Sequence, residues 1–334
     1  MSSIIAKLGD YVEKGWISPK LKNLMVEFYE SYRKALSNSA DPQKDEKPFE
    51  TLIDLVIERL RDPYPFEIFH RSVRHPFDYY QFGLDFMHPF VDFPHSKIFG
   101  QEAIHSIQKQ LKKGENVILL ANHQIEPDPQ VISLLLEQID PKLASEMIFV
   151  AGHRVISDPM AVPMSLGRNL LCIYSKKHIS YPPEKKAEKV AHNQRTLKTM
   201  QDLLNKGGCC IYVAPSGGRD RPNTAAGTVE PALFDAQSVE LFSLMGQQAA
   251  SQTHFYPLAL KTYPLMPPPN HVEKELGEKR VVHVSPAFLA FGDEIDMDQF
   301  PGSENLDKRA KRSKRADYIW QLVCRMYHQF PQSG

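Results

Sequence analysis

The chain has 334 residues and a mass of 38.1 kDa, and its 40 Lys and Arg residues balance 40 Asp and Glu residues. This length predicts about two domains at ~150 residues each, and a hydrophobic fraction of 42% is enough for a packed core. A formal net charge of zero argues against a protein that coats nucleic acid or anionic membrane.

No apolar run reaches the ~18 residues that a membrane-spanning helix needs, and the mean hydropathy is −0.38. The segment 1–10 has neither a signal-peptide core nor an Arg-rich transit composition. We therefore expect a soluble protein that is cytoplasmic or already mature. The cysteines show neither zinc spacing nor a disulfide framework, which favours reduced, buried thiols. They are Cys172, Cys209, Cys210 and Cys324.

Residues 1–78 are predicted to form a small helical domain. Apolar side chains recur at helical spacing from Leu21 to Tyr32, and a second such run begins at Leu52. The stretch 37–48 between them is rich in Ser, Asn, Asp and Lys, which is typical of a loop. Nothing in this region indicates chemistry.

Residues 79–334 are predicted to form a larger α/β domain, because short apolar runs alternate with amphipathic stretches. Strands are expected at 116–121, 147–150, 169–173, 209–214, 255–260 and 281–284. Helices are expected at 103–113, 131–139, 184–206 and 230–250, with a last helix around 319–326. This order predicts a mixed, largely parallel sheet flanked by helices, with ligands bound outside the carboxyl ends of the strands.

A histidine and an aspartate follow the strand predicted at 116–121. Asp128, five residues after His123, can reach back to one ring nitrogen of the histidine. Such a pair suits a general base at neutral pH. The same residues also fit a structural histidine and a plain helix start, with Asp128 as N-cap and Pro129 as the first helical residue. The chain has no Gly-x-Ser-x-Gly elbow, so a base here suggests a substrate hydroxyl as the nucleophile.

A second loop, 214–222, follows the strand at 209–214 and reads Ala-Pro-Ser-Gly-Gly-Arg-Asp-Arg-Pro. Its glycines let a ligand approach the backbone, and Arg219 and Arg221 offer forked donors for phosphate oxygens. The alternative is a plain turn in which Asp220 pairs with an arginine.

A third loop, 174–178, follows the strand at 169–173 and contains Lys176, Lys177 and His178. Its positive charges can join the same anion site, although two adjacent lysines are more often a solvated surface. Together the three loops predict one proton acceptor beside one phosphate site at a single edge of the sheet.

These motifs together resemble the glycerolipid acyltransferases, whose His-four-residues-Asp signature His123 and Asp128 match. Most membrane-bound members carry a Pro-Glu-Gly-Thr-Arg-type block where residues 215–221 read Pro-Ser-Gly-Gly-Arg-Asp-Arg. That departure, with Ser-Lys-Lys-His at 175–178 and Phe-Tyr-Pro-Leu-Ala-Leu at 255–260, is similar to the soluble glycerol-3-phosphate acyltransferases of plant plastids and chlamydia-like bacteria. The resemblance extends from about residue 86 to the end, and the helical N-terminal domain fits that family's two-domain plan.

The resemblance implies transfer of an acyl chain to the sn-1 hydroxyl of glycerol 3-phosphate, the first step of phospholipid synthesis through phosphatidic acid. The base it implies is His123, steadied by Asp128, and the phosphate ligands are Lys177, His178, Arg219 and Arg221. The implied donor is acyl-acyl carrier protein, with acyl-CoA as an alternative. No metal, redox cofactor or nucleic acid is implied, and membrane contact is at most peripheral. The expected location is the bacterial cytoplasm or, for a mature plant or algal protein, the plastid stroma; the oligomeric state stays open.

Two other functions stay open. Acylation of 1-acyl-glycerol 3-phosphate would involve a lipid acceptor, which favours a membrane span or a strongly amphipathic helix, and neither stands out. A non-catalytic protein could instead bind phosphorylated metabolites, or RNA through the basic run 308–315. That run lacks interleaved aromatic residues and follows an acidic stretch at 293–307, so a solvated helix face is the simpler interpretation. Docking of an acidic carrier protein, or contact with anionic membrane, is its functional alternative.

Overall fold

The computed structural model of the chain describes residues 3–37, 42–176, 178–223, 228–269 and 277–331, with the backbone alone at 42–45. The strands are β1 Phe69–His70, β2 Lys97–Phe99, β3 Asn116–Ala121, β4 Ile148–Gly152, β5 Asn169–Ile173, β6 Cys210–Val213, β7 Thr253–Lys261 and β8 Phe288–Phe291. The α-helices are α1 Ser3–Glu13, α2 Pro19–Ala35, α3 Pro42–Arg61, α4 Tyr79–Met87, α5 Gln101–Lys112, α6 Asp128–Leu136, α7 Pro141–Glu146, α8 Val162–Leu166, α9 Lys186–Lys206, α10 Ala236–Gln248 and α11 Lys308–His328. In this part of the chain, no helix is both long and apolar enough to cross a membrane.

The described strands form one mixed sheet in the order β1-β5-β4-β6-β3-β7-β8-β2. The five strands from β5 to β7 in this order are parallel to one another. At the two sides, β1 is antiparallel to β5 and β8 is antiparallel to β7. This confirms the predicted α/β class with its largely parallel sheet. The carboxyl ends of the five parallel strands meet at one edge, which we call the carboxyl edge.

The two faces of the sheet bury separate hydrophobic clusters. Along β3, Val117, Leu119 and Ala121 contribute to a cluster that includes the N-terminal helices, whereas Ile118 and Leu120 contribute to one shared with α9, α10 and α11. The alternation follows from the two-residue period of a strand. Because helices cover both faces, the strand has no polar face and reads as a continuous apolar run.

The N-terminal helices pack on the sheet through aromatic side chains. Tyr32 of α2 is fully buried. Its ring lies 5.1 Å from that of Phe49 in α3, 5.3 Å from that of Phe86 in α4 and 5.1 Å from that of Phe90. Offset and edge-to-face ring pairs at such distances are favourable beyond the area they bury. The division of the chain into domains at residue 78 stays a prediction.

The strand predicted at 281–284 is wrong. There the N–H of Val282 donates to Ser31 Oγ at 2.9 Å and the N–H of His283 donates to the Leu265 carbonyl at 3.0 Å, so these backbone groups are satisfied outside the sheet. The apolar run that forms β8 lies further along the chain, antiparallel to β7. Strands β1 and β2 were not predicted, because two and three residues are too short to show a period.

The loop predicted at 37–48 is wrong from Pro42 onward, where α3 begins. Residues 38–41 of that stretch lie outside the described part of the chain. The helix continues through Pro48, which composition alone disfavours. Phe49 is 1% exposed within the aromatic cluster, and the burial of this helix face outweighs the local preference for a loop.

The last predicted helix is confirmed as α11, whose Ile319 and Val323 are fully buried. Near its start, Arg315 is buried and pairs with Glu240, so this residue of the basic run 308–315 does not belong to a solvated face. Near its end, the hydroxyl of Tyr327 accepts from Gln124 at 3.4 Å, in the loop after β3 at the carboxyl edge. Near its start, Arg315 lies 3.6 Å from Asp298, which accepts from Gln247 at the end of α10, shortly before β7 begins. The helix of 21 residues spans about 30 Å, so the basic run begins toward the opposite edge of the sheet.

Candidate active site

His123 and Asp128 meet at the carboxyl edge, directly after β3. His123 Nδ1 and Asp128 Oδ2 are 2.8 Å apart. A carboxylate only accepts, so Nδ1 carries the hydrogen and the lone pair lies on Nε2. The side chain of His123 is 28% exposed, and Nε2 has no hydrogen bond to any described residue. The imidazole can therefore accept a proton from a hydroxyl that arrives from solvent.

The carboxylate of Asp128 is fully buried and held by further donors. Oδ2 accepts the backbone N–H groups of Gln124 at 2.7 Å and Ile125 at 3.2 Å, and Oδ1 accepts the Thr262 hydroxyl at 2.5 Å. The N-cap position of α6 belongs to Pro127, without a side-chain bond. The interpretation of Asp128 as a helix cap is therefore wrong, because its oxygens bond to donors outside the helix and to the imidazole.

Two buried amides tie the loop of His123 to its neighbours. Asn122 donates to Asp220 Oδ2 at 2.9 Å and to the Leu260 carbonyl at 3.0 Å, and Gln124 donates to Asp220 Oδ2 at 3.3 Å. The N–H of Asp220 donates to the His123 carbonyl at 2.6 Å. The loops after β3 and β6 are thus joined directly. The alternative in which Asp220 pairs with an arginine is wrong, because amides hold its carboxyl group.

Asp220 is expected to make stability depend on pH. Burial raises the pKa of its carboxyl group to about 6, against the lowering effect of its hydrogen bonds from Ala232 and Asn122. The folded-state pKa of Asp220 lies above the unfolded value. The contribution of this group to the free energy of unfolding is therefore complete below about pH 4 and is lost as the pH rises through about 6. The difference corresponds to roughly 3 kcal/mol.

Urea unfolding of the wild type and of Asp220→Asn, which cannot ionise, measures this effect from pH 4 to pH 8. We expect the free energy of unfolding of the wild type, relative to the variant, to fall by roughly 3 kcal/mol over this range. A difference that does not change with pH contradicts the prediction.

Arg219 forms a bidentate ion pair with Glu278. Its Nη1 and Nη2 lie 2.7 Å and 2.6 Å from the two carboxylate oxygens, and the two side chains are only 16% and 10% exposed. Arg221 donates from Nη1 to the Arg219 carbonyl at 3.2 Å. Burial, and then the nearby charge of Arg219, lowers the pKa of Arg221. In the chain, Arg219 and Arg221 thus flank Asp220, the residue that contacts the His123 loop.

Arg280 is a buried hub of this site that the sequence did not indicate. It is 4% exposed, and its Nε and Nη2 lie 2.9–3.1 Å from the carboxylate of Glu126. Its Nη2 also contacts Asp158 at 3.3 Å, and its Nη1 donates to the Glu278 carbonyl at 3.0 Å. Since Glu126 belongs to the loop after β3 and Glu278 pairs with Arg219, Arg280 connects the loop of His123 to the loop of Arg219. The residues around Arg280 in the sequence carry charges of both signs, which is typical of a solvated loop and gives no sign of its burial.

The third predicted loop follows β5 to the same edge. Lys176 pairs with the carboxylate of Asp235 at 2.9 Å, and Asp235 caps α10 at the end of the segment that follows β6. The carbonyl of His178 accepts a hydrogen bond from Lys189 at 2.8 Å. Lys177 lies outside the described residues. The loops after β5 and β6 are therefore linked by an ion pair.

The cysteines offer little reactivity. All four are free, as expected, but only Cys172 and Cys210 are buried, whereas Cys209 and Cys324 are half-buried. Burial raises the pKa of Cys172 to about 12 and that of Cys209 to about 11, so these thiols stay protonated at neutral pH. Among the residues that the structure describes, no group of three or more His, Cys, Asp or Glu side chains is placed to hold a metal ion.

Known proteins are similar in sequence to this chain over most of its length. Residues 102–261 match the family model described as Acyltransferase. The chain is 42% identical to a chloroplastic glycerol-3-phosphate acyltransferase of Cucurbita moschata, over 86% of this chain and 63% of the relative. It is 40% identical to the Arabidopsis thaliana relative, over 85% of this chain and 63% of that relative. It is 38% identical to the Pisum sativum relative, over 94% of this chain and 70% of that relative.

The chain spans less than two thirds of the Cucurbita moschata and Arabidopsis thaliana relatives, and slightly more than two thirds of the Pisum sativum relative. The identity is well above the level at which relatives share a fold and extends beyond the matched family region on both sides. The chain belongs to the glycerol-3-phosphate acyltransferase family.

Proposed function

We propose that the protein is a glycerol-3-phosphate 1-O-acyltransferase, which transfers an acyl chain from a thioester to the sn-1 hydroxyl of glycerol 3-phosphate. The observation that carries this proposal is the 2.8 Å contact of His123 Nδ1 with Asp128, which leaves Nε2 available as a base. A base oriented in this way needs a hydroxyl to deprotonate. The loop 214–222, with Arg219 and Arg221, suits a phosphate on the same molecule, and the names of the relatives support this acceptor.

In this proposal the phosphate binds to Arg219 and Arg221, with Lys177 and His178 contributing from the loop after β5. The pair with Glu278 uses two of the five N–H donors of Arg219, so others are left for phosphate oxygens. The 2.6 Å hydrogen bond between the loops after β3 and β6 fixes the separation of base and phosphate site. This arrangement presents the acceptor hydroxyl to the imidazole.

The proposed reaction is a direct acyl transfer. His123 Nε2 removes the proton of the sn-1 hydroxyl while its oxygen attacks the thioester carbonyl carbon. The C–O ester bond forms, the C–S bond breaks, and the proton passes from the imidazolium to the leaving thiolate. Asp128 stabilises the imidazolium, and the bound phosphate holds the hydroxyl in place, which lowers the barrier by removing the need for a chance encounter.

The proposed acyl donor is acyl-acyl carrier protein, with acyl-CoA as the alternative. A carrier docked on the basic run 308–315 would have to deliver its thioester over about 30 Å, the length of α11. We therefore favour a carrier site at the carboxyl edge. The relatives are named as chloroplastic, and we place the reaction in a plastid stroma or, for a bacterial source, in the cytoplasm.

The test of this proposal is acyl transfer by the purified chain. Glycerol 3-phosphate, 1-acyl-glycerol 3-phosphate and plain glycerol serve as acceptors, each with matched acyl-carrier-protein and acyl-CoA donors. We expect 1-acyl-glycerol 3-phosphate from the first acceptor and little product from the others. Preference for the acylated acceptor would support the next enzyme of the pathway instead. No transfer to any acceptor, together with binding of phosphorylated metabolites, would support a non-catalytic protein.

Replacement of Arg219 or Arg221 by alanine is expected to raise the KM for glycerol 3-phosphate roughly ten- to a hundredfold, the effect of losing one charged hydrogen bond. The KM for the acyl donor should change little, and steady-state kinetics with each substrate varied in turn measures both values. Because Arg219→Ala leaves Glu278 buried without its partner, the double variant Arg219→Ala/Glu278→Gln is the control for folding. An unchanged KM in both single variants would place the phosphate elsewhere.

A further inference from the structure

Thr262 lies at the carboxyl edge, directly after the last residue of β7, and is fully buried. Its hydroxyl donates to Asp128 Oδ1 at 2.5 Å, and its backbone N–H donates to Gln124 Oε1 at 2.7 Å. In the sheet, β7 is parallel to β3 and pairs with it along the whole length of β3. Because neighbouring parallel strands end at the same edge, the segment after β7 meets the loop after β3, which carries the proposed base.

The two carboxylate oxygens of Asp128 have different partners. Oδ2 lies 2.8 Å from His123 Nδ1 and also accepts the backbone N–H groups of Gln124 and Ile125. Oδ1 accepts the Thr262 hydroxyl, which is its one donor among the residues that the structure describes. Rotation of a carboxylate about its last side-chain bond has a broad energy profile, so contacts at one oxygen alone leave the plane of the group free to turn. The Thr262 hydroxyl fixes that plane.

The Thr262 hydroxyl is itself held in a defined position. Its side chain is β-branched, which restricts rotation about χ1, and it is fully buried. Gln124 Oε1 accepts the N–H groups of Thr262 and Tyr263 at 2.7 Å and 3.0 Å, so the backbone at this point is tied to the loop after β3. The Asp128 carboxylate is therefore held between its own loop and the segment after β7. Such support keeps a catalytic pair within the narrow range of geometry that it needs.

We infer that Thr262 is a positioning residue of the proposed reaction, whose hydroxyl holds the Asp128 carboxylate in the orientation that supports His123. The inference rests on the proposed function, since Thr262 acts through the proposed base. The hydroxyl keeps its proton throughout, because it donates to Oδ1 both before and after His123 takes up the proton of the acceptor. No sequence motif marks Thr262, which lies 134 residues after Asp128 in the chain.

The experiment compares the wild type with Thr262→Val, which removes the hydroxyl but nearly keeps the shape, and with Thr262→Ser, which keeps the hydroxyl. Steady-state kinetics with glycerol 3-phosphate and acyl-acyl carrier protein gives kcat and the KM of each substrate. In Thr262→Val we expect kcat to fall roughly ten- to a hundredfold, the effect of losing one hydrogen bond to a charged group. Both KM values should stay unchanged, because Thr262 acts on the base and not on a substrate. Thr262→Ser should recover most of kcat.

Thr196→Val is the matched control. Thr196 of α9 is as fully buried as Thr262, and its hydroxyl donates to the Cys172 carbonyl at 3.1 Å. We expect this control to keep a normal kcat and to lose about as much stability on urea unfolding as Thr262→Val does. The comparison then separates the contact with Asp128 from the loss of a buried hydroxyl as such. If Thr262→Val does not fold, Thr262→Ala takes its place.

The outcomes separate this inference from the function beneath it. If the wild type transfers acyl chains and Thr262→Val retains its kcat, the inference is overturned and the proposed function stands. An equal loss of kcat in Thr262→Ser or in Thr196→Val shows a role in packing alone and also overturns the inference. If the wild type does not acylate glycerol 3-phosphate, the proposed function itself fails and the inference falls with it.

Discussion

Replacement of His123 by alanine is expected to lower kcat by roughly 10²- to 10⁴-fold, the usual effect of removing a general base. The bond from Nδ1 to Asp128 at 2.8 Å orients the imidazole, so alanine removes both the proton acceptor and the group that the carboxylate steadies. The KM for glycerol 3-phosphate should change little, because the proposed phosphate ligands lie on other loops. Steady-state kinetics of the purified variant measures both constants.

The fold should survive this substitution. The side chain of His123 is partly exposed, and the contact that joins its loop to Asp220 uses the backbone carbonyl, which alanine retains. A matched control is His95→Ala, because His95 Nδ1 lies 2.7 Å from Asp92 Oδ2 in a pair outside the proposed site. We expect this control to turn over normally. Near-normal turnover of His123→Ala would remove the base from the mechanism.

Replacement of Arg280 by methionine is expected to destabilise the protein by about 3–5 kcal/mol, the cost of removing one partner from a buried ion pair. Burial lowers the pKa of Arg280, but the carboxylates of Glu126 and Asp158 raise it, and it lies above its usual value. Without the guanidinium, these two carboxylates face each other with no cation between them. Urea unfolding at neutral pH measures the change in free energy.

Lys279→Met is the matched control for this measurement. Lys279 is the preceding residue and pairs with Glu27 at 2.9 Å, but the two side chains are 60% and 47% exposed. Such a surface pair contributes at most about 1 kcal/mol. Equal losses in the two variants would contradict the role of Arg280 as a buried hub. If Arg280→Met does not fold, Glu126→Gln removes one charge of the same cluster and keeps the test open.

Much of the fold was predictable from short-range patterns. The apolar run at 116–121 coincides with β3, and the periodic stretch at 184–206 forms α9 after one 3-10 turn. These patterns succeed because burial of one face leaves a period in the sequence, and burial of both faces leaves a continuous apolar run. They fail where tertiary packing overrides local preference, as in α3, and where backbone groups find partners outside the sheet, as at 281–284.

The candidate site was predictable where its residues are close in the chain and follow predicted strands. Five residues separate His123 from Asp128, and that spacing suffices to propose the pair that the structure contains. The spacing left the role of the carboxylate open, because a helix cap uses the same residue types. The buried oxygens of Asp128 decide it, since their donors lie before the helix and on Thr262, 134 residues away.

The sequence by itself determined the local chemistry: the strand runs, the residues that follow them, and hence a base and two arginines at the ends of strands. Only the tertiary structure decided which ends are neighbours, because pairing between strands depends on contacts that no local period records. The order β5-β4-β6-β3 brings the loops after β3, β5 and β6 to one edge, and a hydrogen bond there joins Asp220 to His123. Arg280 stabilises this edge through Asp158 and Glu126, which are 122 and 154 residues away in the chain. Its burial could not be predicted from the sequence, because the carboxylates that compensate its charge are close to it only in the folded chain.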